Sequence, residues 1–476
     1  MEVVQSLLKN ISKVALAAMG ALFVLGVVYY KERVLFADGA FVLFNIINEK
    51  RLYIQEHRFG SFITQMFPYF GQKFHLPIKT IMLSYGASFH FVFLLISVLI
   101  YKCREYALVI LMALYYFLFV SQSYIWVNEI FQATGWMFLF FAVILYLGKR
   151  KANILLILLS FSLAFLAVFT HFAVFIPTLF LWVYLILEQK NWPFSNKISL
   201  LLSACLVLII GLKYWDAHSL SAYDAEHLKG LKNLTLADIT HSVRKPVVKI
   251  FLRRCVSNYW LGILVLITSI GALIADKKQI LAAWTLLSFA GYLSIMGLCY
   301  GSYDDTTLLM HIESEWSCIS IIVATPFVFN FLPRLKPPKA TVLLSGIFIV
   351  RLVYIMSFLP SFTLRNDMEE RLLTQMRKKG ITKLAIYNDQ RLRDTAILDW
   401  ALPYESMIMS SMDHDPSQLN FLFVNPDDKE TISKLNGLRD FYNVWNIMPI
   451  AHLNKAYYNL DSVKPYQVMT YEEFMK

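Results

Sequence analysis

Apolar residues run along this chain in long blocks set apart by short charged segments. Eleven blocks are read, at 11–30, 79–101, 106–121, 126–147, 152–170, 172–188, 198–214, 257–275, 279–300, 317–333 and 340–359. Most have the ~20 residues that a helix needs to cross a ~30 Å hydrocarbon core. Backbone polar groups find no water in such a core, so each block is predicted to be a helix. Lys9 and Lys13 ahead of the first block imitate a secretory leader. No small-x-small cleavage site precedes "YYKER" and further blocks follow, so the first is read as an uncleaved helix.

The segments between blocks differ in charge. "KCRE" (102–105), "GKRK" (148–151), "EQKNWPFSNK" (188–197), "DKK" (276–278) and "PRLKPPK" (333–339) all carry Lys or Arg. The positive-inside bias puts them, with the N-terminus, on the cytoplasmic side. The connections 31–78, 215–256 and 301–316, and everything after 360, then face outward. The first two exceed what a connector needs.

After 360 the pattern changes. "LRNDMEERLLTQMRKKG" predicts an amphipathic helix stopped by Gly380. "ITKLAIYN" and "NFLFVN" predict strands, and "DDKETISKLNGLRDFYN" a helix behind a proline start. The expected fold is an all-α polytopic membrane bundle over 1–360 and a small α/β extracytoplasmic domain over 361–476. That domain has no Gly-rich phosphate loop and is assigned no chemistry of its own.

Composition agrees. The 476 residues are 57% hydrophobic and 16% charged, where a soluble protein has about 25% charged. The net charge of +11 fits inner-loop lysines and contacts to anionic membrane lipid better than a nucleic-acid partner. Cys103, Cys205, Cys255, Cys299 and Cys318 form no C-x-x-C pair, so neither a metal knuckle nor a disulfide framework is indicated.

Candidate chemistry collects on the outer side. Asp38 follows the first block among apolar neighbours, at the head of "GAFVLFNIINEKRLYIQ", which predicts an amphipathic helix on the membrane surface. A carboxylate partly desolvated there suits removal of a proton from a hydroxyl. Read singly, it also fits an interfacial helix cap. His57 and Arg58 follow in "QEHRFG", and an arginine there can hold a phosphate by paired hydrogen bonds. Glu129 in "SQSYIWVNEIFQATGW" lies at or inside the membrane edge, where a carboxylate is expensive and functional by default. His171, Asp216 and His218 stand just outside later blocks. "SVRKPVVKIFLRRCVSNYW" supplies Arg253 and Arg254 on the outer face, against the charge bias. "YGSYDDTTLLMHIESEW" adds Asp304, Asp305, His311, Glu313 and Glu315, with Asp304 and Asp305 a weak metal pair.

In organisation the chain resembles the GT-C superfamily, integral-membrane glycosyltransferases that use lipid-phosphate-linked sugars. The likeness is a short N-terminus, one span, a long outer loop with an Asp just past the span, a second acidic residue in the next outer turn and a C-terminal extracytoplasmic domain. It implies a donor lipid and an acceptor that is a glycan, lipid or protein outside the cytoplasm. A bacterial inner membrane, with the site facing the periplasm, is the implied location. Asp38 then matches the catalytic base and Glu129 the second acidic residue. The basic stretch before block eight matches a donor-phosphate site. The first loop has "ADG" where several members have paired acids. That leaves dependence on a divalent metal, Mg or Mn, open.

Three other classes compete. A transporter or flippase of lipid-linked glycan would carry charges at mid-membrane and matching halves, neither of which is visible. A glycan ligase or polymerase would carry an extended Arg/His-rich outer loop. In a structural assembly subunit the carboxylates would be dispensable.

Overall fold

A computed structural model describes residues 2–149, 154–188, 192, 194–232, 234–301, 309–413, 418–443 and 445–476. Each apolar block forms helix. In chain order these are α1 (Glu2–Val28), then α2 (Asp38–Glu49) in the long connection that follows it, and α3 (Ile78–Lys102), α4 (Tyr106–Leu118), α5 (Glu129–Gly148), α6 (Ile154–Thr170) and α7 (Phe175–Glu188). Next come α8 (Asn196–Ser219), α9 (Pro246–Ser257), α10 (Trp260–Ala275) and α11 (Gln279–Cys299). The helical stretch α12 (His311–Arg334) and α13 (Pro337–Lys379) complete the bundle.

Seven of these, α1, α3, α5, α8, α11, α12 and α13, are long and apolar enough to cross a membrane. An eighth results if α9 and α10, bent by 88°, form one broken span. Against the eleven expected spans, seven or eight helices qualify by length and apolarity among the described residues. The blocks at α4, α6 and α7 give helices of 13, 17 and 14 residues. Thirteen residues rise only about 20 Å, and α4 is buried from Leu108 to Leu118. Its apolarity serves the interior of the bundle. The C-terminal end of α4 is held by Arg351 of α13, which donates to the carbonyls of Phe117 and Val120 at 2.8 Å. A cation suits those orphan carbonyls.

α2 departs from its expected setting. It is no surface helix: Gly39 to Ile47 are all buried. One of its sides is covered by the C-terminal unit. Phe44 packs against Tyr404 (5.1 Å between ring centroids), Phe441 (5.3 Å) and Tyr458 (4.8 Å). Such aromatic pairs contribute roughly 0.5–1.5 kcal/mol each beyond area burial.

The C-terminal unit is the expected α/β arrangement. β1 (Lys383–Tyr387) lies between β2 (Asn420–Val424) and a later strand (Gln467–Thr470), all parallel. α14 (Leu402–Ser410) packs on β2 and α2. Gly380 ends α13 with φ +64°, as its position predicts. The expected boundary at 360 falls inside α13, which runs 43 residues through Pro360 without a stop. One continuous apolar core joins bundle and C-terminal unit.

Candidate functional site

Both first-ranked carboxylates are the opening residue of a helix. Asp38 begins α2, whose cap is Ala37 with no side-chain hydrogen bond. The Asp38 carboxylate therefore does not cap its own helix. Gly39 permits the close turn, because a Cβ there would sit 2.6 Å from the carbonyl oxygen of Arg33. Trp126 Nε1 donates to Asp38 Oδ2 at 2.7 Å. The other oxygen has no hydrogen-bond donor among the described residues. Glu129 begins α5, where Asn128 does the capping by accepting the Phe131 N–H at 3.2 Å. That leaves the Glu129 carboxylate for Arg58.

Arg58 comes from a turn in which Glu56 (φ +46°) and His57 (φ +55°) are both left-handed. Its Nη1 lies 3.2 Å from Glu129 Oε2, and its Nη2 lies 3.2 Å from Asp224 Oδ1. Asp224 also meets Lys213 at 3.3 Å, Lys213 meets Asp216 at 2.9 Å, and Asp216 meets His57 at 2.7 Å. A continuous network of polar contacts thus links the connection between α1 and α3, α5, α8 and the segment between α8 and α9. A second pair joins His171 to Glu315 at 3.3 Å.

Most of these groups border a cavity of about 630 Å³ between the bundle and the C-terminal unit. Asp38, Arg58, Glu129, His171, Lys213, Asp224, His227, His311 and Glu315 line it. Trp400 and Trp445 of the C-terminal unit form part of its wall. Burial, then the nearby Glu129 charge, pushes the Asp38 carboxyl up to about 7, against the opposing pull of Trp126 and Arg58. At Arg58 burial works against the charge, but Glu129 and Asp224 outweigh it and hold the guanidinium above its usual range. Burial likewise opposes the charge on Asp224, and Arg58 with Lys213 overcomes it, leaving that carboxyl below the usual range. Burial pulls His227 down. The chemical content is a carboxylate poised between its two protonation states beside a fixed, charged arginine.

The sequence-predicted residues divide. Asp38, Arg58, Glu129, His171 and His311 meet at the cavity. His57 and Asp216 stand behind it, bracing Lys213. His218 lies apart, stacked on Tyr214 at 5.5 Å. Arg253 and Arg254 do not line the cavity. They sit on α9 away from its buried face of Val247, Val248, Ile250, Phe251 and Cys255. The cations that do reach the cavity wall are Arg58 and Lys213. Asp304 and Asp305 lie outside the described residues. Among the described residues no group of three or more His, Cys, Asp or Glu is arranged to hold a metal ion.

No protein family, curated protein or solved structure matches this chain.

Trp126, Lys213, Asp224, His227, Trp400 and Trp445 were not singled out from the sequence. Lys213 did carry a signal, as a lone charge closing the apolar run "SACLVLIIGLKYW". For the two tryptophans of the C-terminal unit the local sequence offers none.

Proposed function

We propose that this protein is a membrane glycosyltransferase of the GT-C type, with Asp38 as general base. It transfers a sugar from a lipid-phosphate-linked donor to a glycan, lipid or protein acceptor on the extracytoplasmic side. The observation that carries this reading is Asp38 itself: a cavity-wall carboxylate pushed up to about 7, with one oxygen fixed by Trp126 and the other without a hydrogen-bond donor among the described residues. A base is most effective when its pKa lies near the working pH.

In this mechanism the acceptor O–H gives its proton to Asp38 while its oxygen bonds to the anomeric carbon. The bond from that carbon to the phosphate oxygen breaks, and the phosphate leaves with the electron pair. Direct displacement inverts the anomeric centre. Arg58 neutralises the departing phosphate, exchanging its contact to Glu129 or Asp224 for the phosphate oxygens. Trp400 and Trp445, 5.1 Å apart, offer the acceptor an aromatic surface on the side away from the bundle. The basic inner segments support an outward-facing site.

The test is a cell-free assay with protein in detergent, offering polyprenyl-phosphate sugars one at a time and reading product linkage by NMR. A new glycosidic bond that disappears in Asp38→Asn is expected. Wild-type protein that forms no bond from any donor, yet moves lipid-linked glycan across vesicles, returns the flippase reading to the front.

A further inference from the structure

The three residues ahead of Asp38 are each held by the C-terminal unit and the end of α13. Arg365 Nη1 donates to the Leu35 carbonyl at 3.0 Å. The guanidinium lies 5.2 Å from the centre of the Phe36 ring. The Ala37 N–H donates to Glu405 Oε1 at 2.9 Å. Arg365 in turn donates to the other oxygen of Glu405, to Glu369 and to the carbonyls of Ala396 (2.7 Å) and Leu398 (3.1 Å). All five of its N–H donors are engaged. Arg365, Glu369 and Glu405 are buried.

Ala37 has φ +46° and ψ −118°. This is the conformation of the first central residue of a type II′ turn, which normally calls for glycine. A residue with a Cβ stays there only where its surroundings over-determine it. Position 37 directly precedes Asp38, so relaxation of this peptide turns the whole start of α2 and moves the carboxylate away from Trp126. Docking the C-terminal unit does not by itself call for a buried carboxylate at Ala37, because the Phe44 aromatic cluster already joins the two parts.

We infer that Glu405 is a positioning residue for Asp38: anchored by Arg365, it clamps the left-handed Ala37 peptide and so fixes the Asp38 carboxylate against Trp126 and the cavity. Its consequence for rate rests on the glycosyltransferase reading; its consequence for geometry does not. The C-terminal unit thereby acts on the reaction from 368 residues away in sequence.

The experiment uses the full chain in lipid nanodiscs and follows the Trp126 indole N–H by ¹⁵N TROSY NMR, assigned with Trp126→Phe. Asp38→Asn defines the signal of a lost carboxylate contact. Glu405→Ala should move the Trp126 signal toward that position. It should lower kcat about 10–100-fold, the cost of a misplaced group, with donor KM unchanged. Glu405→Gln keeps an acceptor oxygen for Ala37 and should retain more rate than Glu405→Ala. The decisive variant adds Ala37→Gly to Glu405→Ala. Glycine holds this backbone without a clamp, so the signal and about tenfold or more of the rate should return, which loss of a mere tail anchor does not allow. Should Glu405→Ala fail to fold, Glu405→Asp takes its place, with a smaller shift that Ala37→Gly again reverses. A wild-type Trp126 signal in these variants, or no return with Ala37→Gly, overturns the clamp. If the signal responds as expected but wild-type protein transfers no sugar, the clamp stands and the glycosyltransferase reading falls.

Discussion

At Asp38 the sign of every pH effect follows from one raised carboxyl. A base must be unprotonated, so the transfer rate should fall as pH drops through about 7. Asp38→Asn should cost ~10²–10⁴-fold in kcat, the usual contribution of a positioned base. Glu129→Gln removes one of the two causes that raise Asp38, so the acid limb of the pH–rate profile should move to lower pH. It should not vanish, because burial is the larger cause. An acid limb left in place by Glu129→Gln would mean that another group controls it. Stability runs the opposite way from rate. Below the unfolded carboxyl pKa of about 3.9 both states hold the proton and Asp38 costs nothing. Between about 3.9 and about 7 the unfolded chain gives up this proton while the folded protein keeps it, so stability falls across that window and the loss is complete above about 7. Asp38→Asn should therefore melt above wild type at pH 8 in detergent, with that gain gone by pH 4.

The prominence of an element in the sequence does not decide its use. α9 is basic and amphipathic, and its charge runs against the topology bias, yet its arginines do not line the cavity. The turn before α5 and the "QEHRFG" loop look modest and supply the Glu129–Arg58 pair. Arg58→Lys keeps the charge but loses the two-pronged geometry that bridges Glu129 and Asp224. It should raise the KM for a lipid-phosphate sugar about tenfold, while Arg254→Ala stays within about twofold of wild type. The reverse ranking, read from initial rates against donor concentration, would return the phosphate to α9. On the acceptor side, Trp445 is 59% exposed and packs on Phe41 at 5.0 Å. Trp445→Ala should raise acceptor KM with donor KM unchanged. Equal changes in both would make the tryptophan a general wall of the cavity.

The whole molecule brings a membrane bundle and a small parallel sheet into one core, with the cavity at the seam. The sidedness proposed from basic segments puts that seam outside. Single cysteines at Lys277 and Asp427, both exposed, in a background lacking the five native cysteines, test it in sealed vesicles. Labelling should come from opposite sides. Labelling of both from one side would remove the outer location of the site, whatever the number of spans.

Helices, their order, the Gly380 stop and the two main strands follow from local pattern, because backbone hydrogen bonding in an apolar medium and short-range periodicity decide them. Asp38 and Glu129 were legible too, since a carboxylate beside an apolar run is conspicuous by its desolvation cost. Span number was not: a block of apolar residues reads the same whether it faces lipid or, like α4, protein. The setting of α2 was not either, because the surface that buries it comes from residues some 360–410 positions later. For the same reason Arg365 and Glu405 gave no signal. Each is an ordinary charged residue until the fold sets it against the Ala37 peptide. The sequence determined which groups are costly to bury, and the tertiary structure decided which of them face one another.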